Sequence, residues 1–132
     1  RGDDGIDKMT TTGHTRVWEV TRGQVIEHVI DVEELGLPKA RIEDLLGESP
    51  QHNATLARSV LAGDASPARD IVVLNAAAGL ASFALAQNPA EQDRPLRERL
   101  VENITLAQAT IDQGSAQAKF DAWVEVTHAS AP

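Results

Sequence analysis

Residues 70–87 read DIVVLNAAAGLASFALAQ, the longest apolar stretch in the chain. Ser66 and Pro67 precede it as an N-cap followed by proline in the first helical turn, which predicts a long helix opening there. Its large residues, Ile71, Leu74, Phe83 and Leu85, are not confined to one face, and Ala, Gly79 and Ser82 fill the gaps between them. A helix apolar all round is expected to be buried all round. Asn75, Gly79 and Ser82 interrupt the stretch, and it falls short of the roughly 20 apolar residues a bilayer span requires, so a core helix is the expectation.

Working outward, Ser49 and Pro50 repeat the same opening device, with Leu56, Val60 and Leu61 as the apolar positions and Gly63 as the stop. Downstream, a helix is expected around residues 96–111 with its end near Gly114, and a last one from Ser115 through Phe120 and Trp123, before a frayed end at residues 129–132. Upstream, RVWEVT, then Arg22 and Gly23, then QVIEHVIDV read as a β-hairpin over about residues 16–32 with a tight turn at the glycine. Trp18 and Val20 share one face of its first strand, and Ile26 and Ile30 share one face of the second. Asp31 with Glu34 three residues on predicts a short capped helix stopping at Gly36, and Ile42, Leu45 and Leu46 predict another ending at Gly47. The fold class is therefore α-rich, with one hairpin followed by about five helices. One hairpin is a poor cover for so much apolar helix surface, so the chain is expected to be part of a larger domain.

The composition narrows the function. The 132 residues carry 12 basic and 20 acidic side chains, a formal charge of −8, and no basic cluster longer than a dipeptide. Nucleic acid and anionic membrane surfaces are disfavoured as partners, because both are held by Lys and Arg. The absence of cysteine removes disulfides and thiolate chemistry and fits a reducing cytoplasm. The start is charged and glycine-rich with no signal-peptide pattern, which adds to the expectation of a cytoplasmic protein. Met9 is the only methionine, so the chain is expected to have been processed or cut from something longer.

Asp3, Asp4 and Asp7 are the only cluster of hard oxygen ligands, suited to Mg²⁺ held by one or two carboxylates plus substrate phosphates. A solvated acidic loop is the competing reading. The run Thr10, Thr11, Thr12, Gly13, His14, Thr15 offers hydroxyls to a phosphate, and turn chemistry accounts for it equally well. The four histidines show no zinc spacing, and the calcium-loop template fails for want of its closing glutamate. Two glycosylation sequons, at Asn53 and Asn103, are read as chance matches.

DDGIDKMTTTGHTRVWEV resembles the start of the C-terminal portion of the anthranilate phosphoribosyltransferase family, which shows Gly-Leu-Asp-Glu, a Ser/Thr-rich step and then this strand. The likeness continues in order through ELGLPKARIEDLLGESPQHNATLARSVLAG, PARDIVVLNAAAGL and IDQGSAQAKFDAWV. It implies an α/β parent enzyme moving 5-phosphoribosyl from phosphoribosyl pyrophosphate to anthranilate in tryptophan biosynthesis, with Mg²⁺ assisting departure of pyrophosphate, and a homodimer. It also implies that the N-terminal helical domain, the glycine-rich phosphate loop and a Lys-His-Gly-Asn segment lie outside these residues, so that residues 1–132 hold only the C-terminal part of the catalytic domain and are inactive alone. In the family the paired acids of Gly-Leu-Asp-Glu hold metal. Here the first is Asp7, and the second position is Lys8, which cannot ligate Mg²⁺; Asp7 with Asp4 then remain as metal ligands, and Lys8 becomes a candidate pyrophosphate contact. A non-catalytic relative or binding protein on the same fold is the alternative, motivated by that lysine.

Overall fold

β1 (His14–Thr21) and β2 (Gln24–Asp31) pair antiparallel in register from His14 with Asp31 to Thr21 with Gln24. Arg22 and Gly23 join them with φ of 49° and 72°. Two positive φ values make the mirror-image turn that matches strand twist, which glycine adopts freely and arginine only at a cost. The structure, a computed structural model, describes residues 1–129. The hairpin starts two residues earlier than expected, and β2 ends one residue sooner, because Val32 opens a 3-10 turn that Asp31 caps by accepting a hydrogen bond from the Glu33 N–H at 3.1 Å.

That cap opens a 3-10 turn over Val32–Leu35, and a second 3-10 turn spans Ile42–Leu45. Four α-helices follow: α1 (Pro50–Leu61), α2 (Pro67–Gln87), α3 (Leu96–Asp112) and α4 (Ser115–Ala129), with a third 3-10 segment, Pro89–Asp93, between α2 and α3. The α-rich class with a single hairpin holds; the expected short helices are single 3-10 turns. Both Ser-Pro signals act as read: Ser49 Oγ accepts from the His52 N–H at 3.1 Å, and Ser66 Oγ accepts from the Arg69 N–H at 3.2 Å. Apart from Ala129, which closes α4, the frayed end expected at residues 129–132 lies outside the described residues.

The core forms where α2 and α3 meet beneath the inner face of the hairpin. Val73, Leu74, Ala77 and Ala81 make one buried stripe on α2, facing Leu100, Ile104, Ala107 and Ile111 of α3, with Met9, Ile30, Val32, Leu35 and Leu37 closing the other side. Alanines at 77 and 81 let the helices approach closely, and losing a side chain such as Leu74 or Leu100 would cost about 2–5 kcal/mol.

The expectation of all-round burial for α2 fails. Val72 is 45% and Phe83 64% exposed, because α3 and the hairpin cover only one side of the helix. The length expectation also needs correction: α2 runs 21 residues and is long and apolar enough to cross a membrane by length and composition. Its buried stripe and the hydrogen bonds of Asn75 to Met9 are what a core helix uses. The hairpin orients opposite to its apolar weight. Thr15, Val17 and Ile30 face inward, whereas Trp18 (50% exposed), Val20, Val25 and Val29 lie on the outer face.

Candidate functional site

Main-chain hydrogen bonds tie the first fifteen residues to one another and to β1. Arg1 and Arg16 exchange two main-chain hydrogen bonds, at 2.7 and 2.9 Å, and the Asp3 N–H donates to the His14 carbonyl at 3.0 Å. The Gly2 N–H donates to the carbonyls of Ile6 at 3.0 Å and Lys8 at 3.2 Å, closing residues 2–8 into a loop. Gly2 is buried, and a Cβ there would collide with the Asp4 carboxylate. The backbone can approach that closely only without a side chain.

Asp4 turns back onto the loop. Its Oδ2 accepts from Thr10 Oγ1 at 2.5 Å and from Thr12 Oγ1 at 2.6 Å, while Oδ1 accepts from the Ile6 N–H at 3.0 Å. Burial alone would raise its pKa, but the hydroxyls of Thr10 and Thr12 and the Ile6 amide together hold the carboxylate below its ordinary value. The Thr10 N–H donates to Thr15 Oγ1 at 3.0 Å, and the Thr12 N–H to Thr10 Oγ1 at 3.0 Å. The threonine run is thus spent on shaping the loop, as turn chemistry anticipates. Thr11 is fully buried, and its hydroxyl has no hydrogen-bond partner among the described residues.

Asp7 and Lys8 stand outside that network as an exposed ion pair, Nζ to Oδ1 at 2.7 Å. The lysine, through its hydrogen bond first and its charge second, holds the Asp7 carboxyl below its usual value. The pair lies on the rim of an open cleft of about 860 Å³ walled by Ile6, Leu56, Val60, Ile71, Val72 and Phe120. Asn53, the first sequon, also lines this cleft and accepts from the Glu48 N–H at 3.1 Å; Asn103, the second, donates to the Arg99 carbonyl at 2.8 Å. Among the described residues no three His, Asp or Glu side chains gather as a metal cluster. Asp4 and Asp7 therefore share a loop but do different work: one shapes it, the other faces outward.

Sequence reasoning noticed Asn75 only as an interruption of an apolar helix. In the structure its side chain reaches 66 residues back to the Met9 backbone, with Oδ1 accepting at 3.0 Å and Nδ2 donating at 2.9 Å. A polar amide alone in an apolar stretch is a signal of a buried partner, although nothing in the sequence names that partner.

Residues 1–117 match the family model described as glycosyl transferase family, a/b domain. The chain is 54% identical over 127 residues to the anthranilate phosphoribosyltransferase of Leifsonia xyli subsp. xyli, covering 96% of this chain and 36% of that one. Among solved structures it is similar to anthranilate phosphoribosyltransferase from Thermus thermophilus, with 33% identity and a TM-score of 0.73 over 94% of this chain and 33% of the other. The Saccharomyces cerevisiae enzyme in complex with PRPP and Mg shares the fold at 22% identity, with a TM-score of 0.73 over 94% of this chain and 33% of its own. The chain spans about a third of the length of these relatives.

Proposed function

The chain belongs to the glycosyl transferase family, a/b domain, and on that footing we propose that it is the C-terminal part of the α/β domain of an anthranilate phosphoribosyltransferase. The reaction moves 5-phosphoribosyl from phosphoribosyl pyrophosphate to the anthranilate amine. The C1–O bond to pyrophosphate breaks, the amine nitrogen bonds to C1 and gives up a proton, and pyrophosphate leaves with the electron pair. The observation that carries the reading is the 54% identity over 127 residues, which runs through the Asp7–Lys8 loop.

Charge accumulates on the departing pyrophosphate, and this loop offers two groups to it. Lys8 supplies an ammonium on an exposed stem, suited to a phosphate oxygen as a point charge. Asp7 supplies one carboxylate, and the caged Asp4 carboxylate holds the loop that presents both. The donor set fits Mg²⁺ held by a protein carboxylate and completed by substrate phosphate and water, with Asp7 facing outward and Asp4 turned back onto Thr10, Thr12 and the Ile6 amide. Bound there, Mg²⁺ would supply charge stabilisation to the leaving group. Two unit charges about 4 Å apart interact by about 1 kcal/mol in water and about 4 kcal/mol at the effective dielectric of a protein surface, and the repulsion from a divalent ion is about double that. With a cation held by Asp7, Lys8 would be better placed on a phosphate oxygen than beside that carboxylate.

In this reading two copies associate, the setting is cytoplasmic, nucleic acid and membrane play no part, and residues 1–132 alone do not turn over. The test replaces the corresponding third of the Leifsonia xyli enzyme with these 132 residues and measures pyrophosphate release that depends on both substrates. Turnover supports the reading, and a folded chimera that binds neither substrate contradicts it. The Lys8 ammonium at the second acidic position favours one other reading, a non-catalytic relative on the same fold. A folded, inactive chimera that binds phosphoribosyl pyrophosphate would select it.

A further inference from the structure

We propose that Asn75 of α2 is a positioning residue for the Asp7–Lys8 pair, acting through the main chain of Met9. Asn75 Oδ1 accepts from the Met9 N–H at 3.0 Å, and Nδ2 donates to the carbonyls of Met9 and Ile71, both at 2.9 Å. These contacts use both amide hydrogens and the oxygen, so only one orientation of the side chain satisfies it. The far end of each peptide group is held as well. The Lys8 carbonyl, in the same peptide plane as the Met9 N–H, accepts from the Gly2 N–H at 3.2 Å. The Thr10 N–H, in the same plane as the Met9 carbonyl, donates to Thr15 Oγ1 at 3.0 Å. A peptide group turns as one planar unit, so a plane gripped at both its N–H and its C=O cannot rotate without breaking both bonds. Asn75 supplies one of the two grips on each plane.

The first of these planes begins at the Lys8 Cα atom, and its orientation governs the direction in which Lys8, and Asp7 before it, leave the loop. The same helix makes the wall behind them: Ile71 and Val72, about one turn before Asn75, line the cleft whose rim carries Asp7 and Lys8. Rim and wall are thus tied to one rigid element, and the Asn75 amide is the tie. A general stabilising role is the competing account, because Met9 is buried and its main-chain groups need partners wherever they lie. The two roles differ in what they do to turnover. That effect on turnover rests on the phosphoribosyl-transfer reading; the placement of the loop does not.

The test introduces Asn75→Leu, close in shape but unable to make any of these bonds, into the chimera with the Leifsonia xyli enzyme. Beside it stands Ile104→Ala, which removes a buried side chain from α3 and leaves every loop hydrogen bond its partners. At a temperature where both are folded, Asn75→Leu should lower kcat/KM for phosphoribosyl pyrophosphate about tenfold or more, with KM for anthranilate within about twofold, and Ile104→Ala should change neither by more than about twofold. Equal losses in the two variants, or none in Asn75→Leu, overturn the proposal. An unsubstituted chimera that does not turn over removes the catalytic reading alone, and amide hydrogen exchange in the 132-residue chain then decides the placement. There the Gly2 and Ile6 amides should quicken about tenfold or more in Asn75→Leu, while Val17 and Glu19 of β1, whose amides face β2, stay unchanged as references. If the references lose protection, so that the variant has unfolded, Asn75→Asp, which keeps the acceptor for the Met9 N–H and loses the donors, is read in the same way. Unchanged Gly2 and Ile6 exchange in a folded variant overturns the proposal.

Discussion

The Asn75 side-chain amide, two turns into α2, takes both main-chain groups of Met9, accepting from its N–H at 3.0 Å and donating to its carbonyl at 2.9 Å. This replaces a strand partner for a residue that is itself 8% exposed, and it fixes the backbone two residues beyond Asp7. Asn75→Ala leaves two part-buried groups unpaired and should cost about 1–3 kcal/mol, measured by urea unfolding. The same variant should speed exchange of the Met9 amide. A stability unchanged within error would mean that water replaces the amide without loss.

In the chimeric enzyme, Asp7→Asn should lower kcat/KM, because its carboxylate acts where charge appears in the transition state. Lys8→Glu separates two roles of the lysine. If Lys8 grips pyrophosphate, the change should weaken phosphoribosyl pyrophosphate binding; if it only displaces a metal ligand, the change should tighten Mg²⁺. Titrating both ligands against both variants reads the sign directly.

Acid should open the loop before it unfolds the protein. The carboxyl of Asp4 is held below its ordinary value of 3.8, so its contribution is fully present above that pH and is lost as pH falls through its lower folded value. Asp70, raised by burial at the start of α2, has the opposite sign: its cost is present when ionised and is relieved as it protonates between its ordinary and its raised value. The Ile6 amide, which donates to Asp4, should therefore lose protection as pH falls through that lowered value, and Asp4→Asn should remove that step.

Arg99 of α3 is 3% exposed and pairs through Nη2 with Glu19 of β1, whose other oxygen meets His28 Nε2 at 3.0 Å. Removing one member strands the other in a dry setting. Arg99→Ala should cost about 3–5 kcal/mol by urea unfolding, whereas Lys39, with an exposed pair to Asp31 and Glu33, should matter far less.

The isolated chain should self-associate at micromolar concentrations, because Phe83 and Val72 on α2 and Trp123 on α4 leave apolar surface in water. Sedimentation of Phe83→Ser against the unchanged chain checks it, with weaker association expected for the variant. A clean monomer in both would show that these residues form no sticky patch.

Local chemistry was legible wherever a signal and its partner lie within a few residues. Ser49 and Ser66 cap as read, Gly23 sits in the turn, and Asp31 and Gly36 bound a helical turn, because each depends on neighbouring backbone groups. Lys8 beside Asp7 could likewise be seen in the sequence, and their salt bridge is between adjacent residues.

What the chain order could not decide was which apolar face meets which. Period-two alternation places Trp18 with Val20 and Thr15 with Val17, yet only the position of α2 and α3 decides that the threonine side turns inward. All-round apolarity marked α2 as a core helix, but its burial depends on how many elements surround it, and here they cover one side. The sequence offered Asp4 as a metal ligand with no hint that Thr10 and Thr12 would both donate to its Oδ2, and Asn75 had no role until Met9 came within 3.0 Å of it. Caps and turns are local free energies written in consecutive residues; burial and the partners of isolated polar groups are properties of segments brought together across the chain, and only the tertiary structure sets them.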